Sequence, residues 1–354
     1  MKKRPILSTL IILFIFILFS GGCQKQQANY TPIPPPGLEF PNFPGEMMTL
    51  SAISYIAEGL STSVVKDSII LLLADTSLAT AGKWQLAWGP GISPGNANLA
   101  FVAKSSTQKG PVYVIAIRGT SVKSIKDILE DLIAFSLVQF PYGEAGDSVA
   151  KGMMEGLTAL LLSKDPVKGT TLEKFLLSTN ANEKIPLFIT GHSQGGGLAP
   201  LMAYWLMTNV NLKDKFVFNT YAFAGPGIVN KSFRDNFMNA LPPDASFRML
   251  VNPIDVIPFF WSDLSGITAN NIPVPVPLLY RIPLSIAEGI LQIAGITYYN
   301  ITEPDTIGRI PITSTAPGNI HPSDTLNWYN YWWKMQHKHD SYLKILGVKP
   351  LKPI

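Results

Sequence analysis

The sequence predicts an α/β fold in which a mostly parallel central sheet is flanked by helices. Three observations point that way. Strand-like and helix-like patterns alternate along most of the chain, which implies strands joined through crossover helices. The segment "VYVIAI" (Val112 to Ile117) is apolar without alternation, as a strand covered on both faces must be. The chain has 354 residues, 47% of them hydrophobic, enough for one large core.

Taken in order, the chain opens with Lys2, Lys3 and Arg4, then an apolar run from Leu10 to Phe19, then Ser20, Gly21 and Gly22. Basic residues, an apolar stretch and small residues make an export signal, expected over residues 1–22. The run falls short of the roughly 20 apolar residues a membrane-spanning helix needs. Cys23 follows and is the single cysteine. It resembles the lipid-modified cysteine of a bacterial lipoprotein signal, which implies a chain lipid-anchored at the bacterial cell envelope. Ordinary signal cleavage and secretion is the alternative. Residues 23–45, with six prolines between Thr31 and Pro44, read as a tether. Residues 46–354 are then the folded domain. The formal net charge of +4 includes Lys2, Lys3 and Arg4, so the chain beyond residue 22 carries only +1, and nothing in its charge favours nucleic acid.

Within the domain, helices are expected over Met47–Glu58 and Ser61–Ala79, then strands over Leu99–Lys104 and Val112–Ile117. A helix fits Asp147–Ser163. Next come strand Pro186–Thr190, helix Gly196–Met207, strand Phe216–Phe223, helix Asn230–Ala240 and strand Phe247–Val251.

Two serines sit in the pattern G-x-S-x-G, Ser93 in "GISPG" and Ser193 in "GHSQG". A nucleophile elbow needs a buried strand, a tight turn and a helix, with a backbone N–H after the serine to hold an oxyanion. Ser193 has "PLFIT" before it and "GGLAPLMAYWL" after it. Ser93 is followed by Pro94, which has no N–H, so "GISPG" reads as a loop. The base must be a histidine, and the order serine, acid, histidine leaves His321, His337 and His339, since His192 adjoins the serine. Asp255 follows a strand end in "RMLVNPIDVIP" and is the candidate acid. Four histidines and one cysteine show no metal-ligand spacing, and this chemistry calls for neither metal nor cofactor.

The blocks "VIAIRGT", "FITGHSQGGGLA", "YAFAGPGIVN" with "NPIDVIP", and "HDSYL" resemble, in order and spacing, the class 3 lipase family of fungal, plant and bacterial enzymes. The resemblance implies an α/β-hydrolase fold and a serine carboxylic ester hydrolase acting on lipid esters through an acyl-enzyme. It implies Ser193 as nucleophile, Asp255 as acid and His339 as base, because Tyr342 follows His339 at the family's interval; His337 is the alternative base. It places the oxyanion on the backbone N–H of Gln194 and on Thr120. A feruloyl or polysaccharide acyl esterase and a phospholipase share the triad and remain open, as does a non-catalytic lipid-binding lipoprotein. The segment "SVKSIKDILEDLIAF" stands where fungal relatives carry a lid, and an ordinary packed helix is the other reading. The apolar, Pro-rich segment "NIPVPVPLLYRIPLSIAEGILQIAGI" is expected to roof an acyl cleft or to complete the core.

Overall fold

The computed structural model describes residues 43–119, 136–269, 276–311 and 320–351. In chain order its elements are helices α1 (Phe43–Ile53) and α2 (Thr62–Leu73) and strands β1 (Gln85–Ile92), β2 (Leu99–Thr107), β3 (Gly110–Arg118), β4 (Leu137–Gln139) and β5 (Ser148–Ala150). Next are α3 (Lys151–Leu162), α4 (Leu172–Ser178), β6 (Ile185–His192), α5 (Gln194–Thr208), β7 (Phe216–Phe223), α6 (Lys231–Ala240) and β8 (Ser246–Val251). The chain continues through α7 (Leu264–Ala269), α8 (Leu278–Ile293), β9 (Asp305–Thr306), α9 (Thr325–His337) and α10 (His339–Ile345).

Seven strands form one sheet in the order β1-β2-β3-β6-β7-β8-β9, and β4 pairs with β5 apart from it. The first two pairings are antiparallel and the other four parallel, so the sheet is mixed with a parallel majority. The strand and helix alternation from β6 to β8 builds that parallel part, each crossover helix burying an apolar stripe on the sheet. Strand β3 shows why its run is unbroken. Val112, Val114 and Ala116 enter the core on one face, with α1 and α2, while Tyr113, Ile115 and Ile117 enter the core on the other, with α3 and α5. Alternate side chains of a strand point to opposite faces, so a strand covered twice must be apolar throughout.

Several elements differ from the sequence expectation; the helix expected over Asp147–Ser163, for one, is strand β5 followed by α3. Helix α1 begins at Phe43 and buries Phe43, Pro44 and Gly45, so the packed domain starts inside the stretch read as tether. Helix α2 ends at Leu73 rather than Ala79. Strand β1 passes through Pro90, a residue that argues against a strand interior. It is the edge of the sheet, paired only with β2, where a missing N–H is tolerated. Residues 1–42, with the export signal and Cys23, lie outside the described residues, as do Thr120, the 121–135 segment read as a lid and part of the Pro-rich segment.

Candidate active site

Ser193 stands between β6 and α5 with φ +59°, a left-handed conformation that a non-glycine residue adopts only when its surroundings hold it there. Its N–H donates to the Phe223 carbonyl at 3.0 Å, and its own carbonyl accepts the Gly197 N–H at 3.1 Å, opening α5. The turn is tight enough to require glycine on both sides. A Cβ on Gly191 would lie 2.2 Å from the Gly195 carbonyl oxygen, and one on Gly195 would lie 2.3 Å from the Ile117 carbonyl oxygen.

Asp255 lies in the turn after β8, wholly buried. One carboxyl oxygen accepts the Ile257 N–H at 3.0 Å, and the other accepts the Tyr342 hydroxyl at 2.8 Å and faces His337 Nδ1 at 2.8 Å. His337 Nε2 is 2.9 Å from Ser193 Oγ, which completes the relay. All three residues are buried.

This corrects the expectation for the base: His337, not His339, lies between Ser193 and Asp255. Helix α9 ends at His337, and Lys338 has extended backbone (φ −52°, ψ 142°), which separates α9 from α10. Two histidines two residues apart are thereby parted. His339 Nδ1 meets Asp340 at 2.9 Å, and its ring lies 5.2 Å from that of Tyr55. Tyr342, taken as the marker of the base, donates its hydroxyl to Asp255 and touches neither nitrogen of His339.

A second set of bonds fixes the end of α9. Asn252 Nδ2 donates to the carbonyl and side-chain oxygens of Gln336, at 3.0 and 2.7 Å, and Gln336 Nε2 donates to the Ile310 carbonyl at 3.1 Å. The Asn252 N–H donates to the Tyr342 hydroxyl at 3.0 Å, so one tyrosine oxygen joins the β8 turn to the triad acid. Burial, and then the Asp255 charge, push the Tyr342 pKa well above its usual 10, which keeps the hydroxyl a donor.

The ring of His192 packs 4.7 Å from that of His337 and 5.1 Å from that of Tyr342. Burial, aided by His337 and His339, pushes its pKa well below 6.5, so it stays neutral. Tyr55 adds a contact that the sequence does not announce. Its hydroxyl donates to the His192 carbonyl at 2.8 Å and accepts the Gly119 N–H at 3.1 Å, tying the end of β3 to the elbow. No local pattern near Tyr55 signals this, because its partners lie far along the chain. A Cβ on Gly119 would come within 3.0 Å of the Gln194 nitrogen, so the residue before Thr120 lies against one of the two expected oxyanion donors.

Ser93 is structural: its Oγ accepts the Asn98 N–H at 2.9 Å in the turn after β1. Arg118 braces the same turn through the carbonyl and side-chain oxygens of Asn96. Among the described residues, no group of three or more His, Cys, Asp and Glu is placed to hold a metal ion.

An alcohol with an imidazole to take its proton, and a carboxylate to hold that imidazole, is equipped to attack an acyl carbon. On an α/β-hydrolase sheet, this defines the serine ester hydrolases. Residues 114–264 match the family described as lipase (class 3). M37 lipase matches with a TM-score of 0.72 at 23% identity, covering 86% of this chain and 92% of that one. Lipase II from Rhizopus niveus (TM-score 0.44, 18% identity) and Lip2 lipase from Yarrowia lipolytica (0.47, 17%) each cover 62% of this chain and are covered over 73%. The M37 likeness bears on the fold. Among curated proteins, none matches the sequence.

Proposed function

We propose that the chain is an exported, envelope-anchored lipase that hydrolyses acylglycerol esters through Ser193, His337 and Asp255. The observation that carries this reading is the buried relay at 2.9 and 2.8 Å from Ser193 Oγ through His337 to Asp255. Ionised Asp255 favours the tautomer with the proton on Nδ1, leaving the Nε2 lone pair toward the serine hydroxyl. His337 takes that proton as Oγ bonds to the ester carbon. The carbonyl oxygen, now negative, is held by the Gln194 N–H and by Thr120. Collapse breaks the bond to the alcohol, which leaves with the proton from His337. Water, deprotonated by the same histidine, then attacks the acyl carbon; the bond to Oγ breaks, His337 returns the proton to Ser193 and the fatty acid leaves.

Anchorage through Cys23 is supported by the apolar run and small residues before it. Loss of labelled palmitate from the chain in Cys23→Ser is the expected result.

The catalytic test is hydrolysis of p-nitrophenyl esters from acetate to palmitate. Ser193→Ala and His337→Ala should each lose roughly 10⁴-fold or more in kcat, because members of a triad act as a unit. Ser93→Ala and His339→Ala should stay within about tenfold of wild type. Full loss in His339→Ala with His337→Ala active would overturn the assignment. Faster release of feruloyl or phospholipid acyl groups than of glyceride acyl groups would keep the chemistry and change the substrate.

A further inference from the structure

We propose that the exposed face of α8 is a docking surface for a lipid–water interface. The proposal rests on the reading of the chain as a lipid ester hydrolase. Helix α8 buries Tyr280, Leu284, Ala287 and Leu291, a single stripe at helical spacing. A surface helix packed in this way is ordinarily polar over the rest of its circumference. Here Leu278, Leu279, Ile282, Ile286, Ile290 and Ile293 are exposed, Leu278 to 69% and Ile293 to 90%. These are six of the fifteen exposed large hydrophobic residues among those described, gathered on one helix of sixteen residues; no other helix carries more than three. Stepping about 100° per residue, they fill an arc beside the buried stripe, and Arg281, Ser285, Glu288 and Gln292 share the narrow remainder. An aliphatic patch of this density marks an interaction site.

Size and charge choose the occupant. At 1.5 Å per residue α8 is about 24 Å long and about 10 Å wide, so its face offers roughly 240 Å², far below the ~800 Å² per partner that a stable dimer buries. A lipid surface makes no such demand, because each aliphatic side chain sinks independently into the acyl boundary. The aliphatic arc holds no charge, and the polar strip holds one of each sign, Arg281 and Glu288, so the fit is to neutral headgroups. Among the described residues no helix is long and apolar enough to cross a membrane, so α8 would lie along the surface. The buried side of the same helix is tied to the reactive site. The Tyr280 hydroxyl and Trp333 Nε1 both donate to Asn330 Oδ1, at 2.8 and 3.2 Å, and the Trp333 ring lies 6.5 Å from that of His337. A docked α8 is therefore braced on the helix that supplies His337.

The test uses the full chain and two readouts. In a Cys23→Ser background, Ile286→Cys and Gln292→Cys are each labelled with the environment-sensitive dye NBD and mixed with phosphatidylcholine vesicles. Emission should rise and shift to the blue at position 286 and change little at 292, whatever the N-terminal segment does. Separately, Ile282→Ser/Ile286→Ser/Ile290→Ser should keep p-nitrophenyl acetate hydrolysis within about twofold. The same variant should lose about tenfold or more on glyceride carried in phosphatidylcholine vesicles. Unmoved emission at 286, or a triple variant that keeps both activities, overturns the proposal. A dye response that depends on protein concentration without vesicles, with a doubled mass, overturns it in favour of a second copy. A wild type inactive even on p-nitrophenyl acetate would instead sink the reading of the triad, and the dye result would stand by itself.

Discussion

Asp255 is held by the Ile257 N–H, His337 Nδ1 and the Tyr342 hydroxyl, and the last of these is the only contact that can be deleted without touching the triad. In Tyr342→Phe the carboxylate loses a donor and the buried Asn252 N–H loses its acceptor. Groups that orient a reactive side chain typically carry about 10- to 100-fold in activity, so kcat should fall within that range with KM nearly unchanged. Urea melts should show about 1–3 kcal/mol less stability from the stranded N–H. An unchanged kcat would mean that the remaining bonds orient Asp255 sufficiently. At this scale the sequence was legible where chemistry leaves a local mark. Ser193 is betrayed by its flanking glycines and Asp255 by its place after a strand. The choice between His337 and His339 depends on the extended backbone at Lys338, and neither residue's immediate neighbours announce a helix ending between them.

At the scale of elements, the strands that were read in advance are those covered on both faces, whose apolar runs follow from burial. Strand β1 is not legible in the sequence because Gly89, Pro90 and Gly91 punctuate it, and only its position at the sheet edge makes them acceptable. Helices α8 and α9 were hidden for another reason: their aliphatic and aromatic content blurs the polar face by which a surface helix is recognised. The junction of β3, β6 and α5 is tightly packed, backbone against backbone. In Gly195→Ala the new Cβ would stand 2.3 Å from the Ile117 carbonyl oxygen, and backbone cannot rotate aside as a side chain can. The elbow must move away from β3, at a cost of about 3 kcal/mol. That shift would also part Gln194 from Gly119, and loss of oxyanion geometry should lower kcat by about 100-fold. Denaturation and ester hydrolysis measured on one preparation separate the two effects. A variant of wild-type stability and rate would show the junction to be looser than its distances imply.

For the whole molecule, the sheet divides two cores, and the one containing α1 and α2 holds a buried acid. Glu46 is 2% exposed, and its carboxyl accepts the Trp84 indole N–H at 2.6 Å. Burial raises its pKa from 4.5 to about 7, against the lowering effects of Trp84 and Lys83. A carboxyl whose pKa is higher folded than unfolded is comfortable when protonated and costs stability once it must ionise. The stability of the domain should therefore decline as pH climbs from 4.5 to about 7, and stay lower above that. Glu46→Gln keeps an acceptor for Trp84 and cannot ionise. It should be more stable than wild type by up to about 3 kcal/mol near pH 8, with the advantage vanishing below about pH 4.5. Melting temperatures of the two proteins across that range decide the matter. Parallel curves would mean that Glu46 ionises in the fold without penalty, through water or a closer Lys83, and that this face of the sheet is less dry than its packing indicates.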